Sequence, residues 1–220
     1  IAGAVPHVSP AAAKATLGRA SVPALAAQSV AWAEERPMTG ATAPSMLLEL
    51  GAGMCLVGHS ERRIHLGETD AMVAKKITAL QKAGIQPVVC VGETEAQKKK
   101  GRAEAVKAVR TQVQSALAAA QWNGSVPALV FAYEPVWAIG SGKACPPQEA
   151  KDMHEVIRET LTKKLGAEVA QGVHIVYGGS VDPRNVADYL STTSIDGVLV
   201  GSASLDPRVF GMLCRAASTA

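Results

Sequence analysis

Short apolar runs of β-type composition alternate along this chain with longer segments of helical period, and that alternation limits the fold more than any other feature. The runs are Ile1 to Val5, Val22 to Ala27, Met54 to Gly58, Pro87 to Val91, Leu129 to Tyr133, Val173 to Tyr177 and Gly197 to Val200. Each is too short for a buried helix, and most are almost continuously apolar, which a parallel strand covered on both faces requires. Between them, Ala150, Met153, Ile157, Leu161 and Leu165 recur at steps of three or four after Pro146-Pro147, giving one apolar helix stripe. Met72, Lys76 and Leu80 share a face with Val73 and Ile77, Ser9-Pro10 reads as a helix start, and Glu95 to Ala120 is rich in helix formers. Seven βα-type repeats of this kind predict an α/β protein with a parallel sheet.

Composition agrees with a packed core: 48% of the 220 residues are apolar, 19% are charged, and the net charge is only +3. That excludes a disordered chain, and the length fits one α/β domain over residues 1–220. The basic cluster Lys98, Lys99, Lys100 and Arg102 reads as a solvated helix face or turn, too small for a nucleic-acid footprint. Cys55, Cys90, Cys145 and Cys214 are dispersed and form no CxxC pair, which argues against a zinc site and for a reducing, cytoplasmic location. No apolar run reaches the roughly 20 residues of a membrane span, and a signal-peptide layout is missing. The chain opens without Met, inside the apolar run Ile1 to Val5.

Polar residues cluster directly after strands. They fall in Gly58-His59-Ser60-Glu61-Arg62-Arg63, in Ala132 to Lys143, in Tyr177-Gly178-Gly179-Ser180-Val181, and in Gly197 to Leu205. A strand-end carboxylate, Glu134, is a candidate general base, and His59 a candidate proton donor or electrophile. The glycine-bearing turns after the last two strands can present backbone N–H groups to a phosphate. GxGxxG and P-loop motifs do not occur, so nucleotide binding has no support. Taken singly, each piece has a structural reading as a helix start, an ion-paired loop or a turn; the order and spacing of all four favour a site.

In that order the segments resemble the triosephosphate isomerase family, as do Ala26-Ala27-Gln28, Thr39-Gly40, Cys90-Val91-Gly92-Glu93 and Ile195-Asp196-Gly197. The resemblance implies a (β/α)8 TIM barrel, with Ile1 at the family's second strand and the first βα unit expected ahead of it. It also implies a homodimer through the loop around Thr39 and Gly40, no metal or organic cofactor, and interconversion of dihydroxyacetone phosphate with glyceraldehyde 3-phosphate. Glu134 then matches the base, His59 the neutral imidazole that polarises the carbonyl, and Glu61 a carboxylate near it; the family is a standing example of a carboxylate and an imidazole tuned apart. Pro135 to Lys143 matches the lid, and Gly140, Ser141, Ser180, Gly201 and Ser202 match the phosphate-binding set.

Departures accompany the match. The family's first strand carries an Asn and a substrate-binding Lys that match nothing here. Ala41 stands where the family has a Glu that pairs with the Arg matching Arg62 across the dimer, so Arg62 needs another partner. Ser29 replaces an Asn, Ser141 a Thr and Ser202 a Gly. These differences support a rival expectation, a catalytically impaired barrel that acts as a structural or interaction subunit. An aldolase-type alternative would want a Schiff-base lysine, and Lys143, at the far end of the lid, is poorly placed for one.

Overall fold

The computed structural model describes residues 1–6, 9–17, 24–33, 38–124, 128–139 and 144–219. The chain forms two compact units, Ile1–Val89 with Ser115–Val130, and Cys90–Gln114 with Phe131–Ala220. All seven expected strands are present; the fourth begins one residue earlier than expected, at Gln86, and the others are shorter by a residue or two.

The first unit contains β1 (Ala2–Val5), β2 (Ala24–Ala27), β3 (Met54–Val57) and most of β4 (Gln86–Val91), with neighbours parallel. Val5 lies opposite Ala27, Ala27 opposite Cys55, and Val57 opposite Val89. Helices α1 (Pro10–Leu17), α2 (Pro44–Glu49), α3 (Ser60–Leu66) and α4 (Asp70–Lys82) follow the strands. Thr69 caps α4 by accepting the Met72 N–H, and the helix buries Val73, Ile77 and Leu80 on the stripe read from the sequence. Each such side chain adds roughly 1.5–3 kcal/mol of apolar burial. Gln81 from α4 exchanges two hydrogen bonds with the Gln121 backbone, at 3.1 and 2.8 Å.

In the second unit all but the first residue of β5 (Val130–Tyr133), with β6 (Ile175–Tyr177) and β7 (Gly197–Val198), forms parallel pairs, with Tyr133 opposite Tyr177 and Tyr177 opposite Val198. Glu95 to Ala120 is not one helix. It divides into α5 (Glu95–Lys99) and α6 (Arg102–Ala119) because Gly101 takes φ +103°, a conformation that interrupts the helical ladder and favours glycine. A Thr94–Gln97 capping box starts α5. Next come α7 (Pro147–Leu165), α8 (Ala167–Gln171), α9 (Val186–Leu190) and α10 (Pro207–Thr219). On α7 the expected Ala150, Met153, Ile157 and Leu161 are buried. Arg158 from the same helix donates to the carbonyls of Ala170 and Val173 and to Asp196, whose carboxylate also accepts the Ile175 N–H. One guanidinium thereby ties α7 to the approaches of both β6 and β7.

Candidate active site

In the first unit the chain leaves β3 through Gly58, at φ +73°, and places His59 at the N-cap of α3. The His59 Nδ1 accepts the Glu61 backbone N–H at 3.4 Å. An acceptor Nδ1 puts the neutral ring's proton on Nε2, leaving that nitrogen as the donor. The imidazole is 26% exposed and Glu61 is 72% exposed, its carboxylate 3.8 Å from Nδ1. With Nδ1 engaged by the Glu61 backbone N–H, the Glu61 carboxylate is a neighbour of the ring, not a hydrogen-bond partner of Nδ1.

Beneath His59 lies a charged cluster that the sequence reading missed. Glu68 and Lys76 are almost wholly buried and lie 2.7 Å apart. Glu68 also accepts the Gly58 N–H at 2.8 Å and Arg62 Nε at 2.6 Å, while Lys76 reaches Ser29 Oγ at 3.1 Å. Arg63 donates to the Gly58 carbonyl at 2.6 Å. Both backbone groups of the residue preceding His59 are therefore fixed by side chains. Burial alone would push the Glu68 carboxyl up, but the bonds from Lys76, Arg62 and Gly58 outweigh it and hold the group below the usual range. Burial lowers the Lys76 ammonium, and Glu68 only partly offsets that. The sequence signal was there: Lys76 is a charge on the apolar face of α4. Arg62, expected to lack its partner because of Ala41, finds Glu68 in its own chain. Cys55 is buried, and its thiol is pushed up to about 12 by that burial, so it is an inert core residue.

In the second unit Glu134 follows β5 and is 2% exposed. Its N–H donates to the Val91 carbonyl at 2.8 Å. Its own carbonyl sits where a Cβ on Gly92 would be, and Gly92 is held there by Gln112, which bonds both its N–H and its carbonyl. Glu134 Cγ also lies 3.1 Å from where a Gly178 Cβ would stand, with Leu199 Cδ2 3.7 Å from the same point. Two glycines thus admit this carboxylate, one under its backbone and one beside its side chain.

Pro135 opens a 3₁₀ turn, Val136–Ala138. Within it the Trp137 indole N–H donates to Glu93 Oε1 at 2.7 Å, an oxygen that also accepts from the Tyr133 hydroxyl at 3.1 Å. Lys98 lies 3.0 Å over the Trp137 ring centroid and 2.5 Å from Glu149. This lysine is engaged, not simply solvated as the sequence suggested; Arg102 pairs with Asp152, and Lys99 with Glu95. Gly140, Ser141 and Lys143 fall outside the described residues.

The expected phosphate-binding residues of this unit sit on two short turns. Asn185 Nδ2 bonds the Ser180 carbonyl while its Oδ1 accepts the Asp182 N–H, which sets the turn after β6. After β7, Ser204 bonds the Gly201 carbonyl through both its N–H and its hydroxyl, and Gly201 and Ser202 are exposed. His59 and Glu61 belong to the first unit; Glu134, Ser180, Gly201 and Ser202 belong to the second.

Parallel strands with their reactive side chains on the segments leaving the strand ends define an α/β protein of the TIM-barrel class. A family profile described as triosephosphate isomerase matches residues 1–217. The triosephosphate isomerase of Pseudomonas syringae pv. syringae is 48% identical over 185 residues, covering 84% of this chain and 72% of the relative. That of Thermus thermophilus is 47% identical over 191 residues, covering 87% and 75%. The chain belongs to the triosephosphate isomerase family.

Proposed function

We propose that this protein interconverts dihydroxyacetone phosphate and glyceraldehyde 3-phosphate by proton transfer through an enediolate, as an aldose–ketose isomerase of glycolysis and gluconeogenesis. The observation that carries the reading is the setting of Glu134, a buried carboxylate whose backbone is anchored by Val91 and by the close approach of Gly92. Glu134 takes the proton from one substrate carbon and returns it to the next. His59 serves as the neutral electrophile, its Nε2–H directed to the substrate oxygens because Nδ1 is engaged at the start of α3. Glu61 lies alongside. Ser180, Gly201 and Ser202, with Gly140 and Ser141, take the phosphate, and the segment from Pro135 to Lys143 shields the enediolate from water. No metal or organic cofactor enters this scheme. We also read residues 1–220 as one TIM-barrel domain, supported by the family match over 1–217, and the protein as a cytoplasmic homodimer that pairs through the loop around Thr39 and Gly40. No helix among the described residues is long and apolar enough to cross a membrane.

The test is a coupled assay of the natural polypeptide with triose phosphate in the presence of a chelator. Turnover is expected, and Glu134→Gln should lower kcat about 10²- to 10⁴-fold while the protein stays folded. Absence of turnover in the unmodified protein, or full activity in the variant, would overturn the assignment.

A further inference from the structure

In the second unit three consecutive residues run alongside Glu134, and one side chain fixes the middle one. The Val91 carbonyl accepts the Glu134 N–H at 2.8 Å, and the Glu93 carbonyl accepts the Val136 N–H at 3.2 Å. Between them the Glu134 carbonyl fills the space that a Cβ on Gly92 would need, so a shift of Gly92 passes directly to the backbone of Glu134. Gly92 follows β4, and both its polar groups are held by Gln112 of α6: Oε1 accepts its N–H at 2.7 Å, and Nε2 donates to its carbonyl at 3.1 Å. A carboxamide carries an acceptor and a donor side by side. It therefore pairs with both groups of one residue, as an opposite residue does in an antiparallel ladder. An inverted amide would set donor against donor and acceptor against acceptor, so the two bonds also fix its orientation. Helix α6 buries Val109, Val113 and Ala116, and Gln112, three residues after Val109 and four before Ala116, stands half-buried at the edge of that face.

We propose that Gln112 is a positioning residue for the isomerisation: by clamping both backbone groups of Gly92 it sets where Glu134 stands. This rests on the function proposed above, and it assigns Gln112 no contact with substrate. A general base must meet the carbon-bound proton at a defined distance and angle, and a displacement of about 1 Å costs on the order of 10²-fold. Val91 fixes the Glu134 N–H, while Gln112 fixes the residue against which the Glu134 carbonyl rests. Periodicity alone presents Gln112 as a polar residue beside an apolar stripe; only the tertiary fold aims its amide at Gly92.

Gln112→Met tests this, because it keeps the length of the side chain and removes both hydrogen bonds. Gln81→Met is the control, since Gln81 makes a comparable two-bond clamp on the Gln121 backbone in the first unit. Kinetics of the natural protein and both variants are measured with triose phosphate, unlabelled and deuterated at the carbon that loses its proton. Gln112→Met should lower kcat about 10- to 100-fold with KM changing less than about threefold. Its remaining turnover should carry a primary deuterium isotope effect, because proton transfer has become the slow step. Gln81→Met should keep the kcat of the parent while losing a similar amount of stability. Should Gln112→Met fail to fold, Gln112→Glu takes its place: ionised, it still accepts the Gly92 N–H but has no proton for the carbonyl, and it should show part of the same loss in kcat. A Gln112 variant that only melts earlier, with kcat and isotope effect unchanged, would show the clamp to be structural and sink the proposal, as would an equal fall in kcat for Gln81→Met. An unmodified protein without isomerase activity would overturn the functional reading and this proposal with it, whereas active protein with unaltered kcat in the Gln112 variant overturns the proposal alone.

Discussion

The Trp137 indole N–H meets Glu93 Oε1 at 2.7 Å, and the carboxylate that receives it is 1% exposed. Trp137 stands three residues after Glu134, so this bond and the second one to Oε1 from Tyr133 seat the segment leaving Glu134. Burial pushes Glu93 above the usual carboxylate range, and the Trp137 and Tyr133 bonds only partly oppose it. The folded state therefore holds the Glu93 proton more tightly than the unfolded chain does, and stability falls as pH rises from the unfolded value through the folded one. Glu93→Gln should flatten that fall and raise stability near pH 8. Trp137→Phe, which removes a donor from the carboxylate, should steepen it and cost about 1–3 kcal/mol. Urea midpoints measured from pH 4 to 8 decide both; a Glu93→Gln protein less stable than the parent at pH 8 would contradict the argument.

His154 is fully buried on α7, with Nδ1 3.1 Å from the Ser194 carbonyl and its ring edge-on to Tyr133. Burial is the main cause of a pKa lowered from 6.5 to about 4. Here the unfolded chain binds the extra proton, so stability is complete above about pH 6.5 and is lost as pH falls toward 4, by about 3 kcal/mol. His154→Leu should remove this acid limb. Denaturation midpoints at pH 4.5 and 7 should then differ less than in the parent, and an unchanged difference would assign the acid sensitivity elsewhere.

Lys76 and Glu68 form a buried ion pair that is costly to break from one side. Lys76→Met leaves Glu68 with Arg62 and Gly58 as its remaining partners and should destabilise the protein by about 3–5 kcal/mol. Adding Glu68→Leu should recover part of that loss, since Arg62, 34% exposed, can turn to solvent. Calorimetry of the two variants separates these outcomes, and a double variant less stable than the single one would refute the pairing logic.

Ala41 is exposed and closes the turn formed by Thr39 and Gly40, its N–H donating to the Met38 carbonyl and Gly40 adopting φ +84°. Because Arg62 is already bonded to Glu68, a carboxylate introduced at 41 would have to compete for it, and an exposed pair contributes about 0–1 kcal/mol. A two-fold dimer would hold two such pairs, so Ala41→Glu should change the dissociation constant of the proposed dimer by less than about thirtyfold. Sedimentation equilibrium checks this, and a change above about a hundredfold would mean that Arg62 is not committed within its own chain.

The seven strands and the main helices were legible because a buried parallel strand and an amphipathic helix write their periods directly into the chain, as Val88 to Val91 and the α7 stripe do. Glu134, His59 and the glycine turns were legible for a related reason, since they follow strands immediately and local sequence places them there. The break at Gly101 was written as a single glycine and lost its weight among strong helix formers. What only the tertiary structure decided are the partners: Glu68 and Lys76 beneath His59, Glu93 against Trp137, Lys98 over the same indole, and Gln112 against Gly92. These pairs join residues from eight to 44 positions apart. Periodicity reports which face of an element is apolar; it does not say which polar group across the core will satisfy a buried charge or hydroxyl.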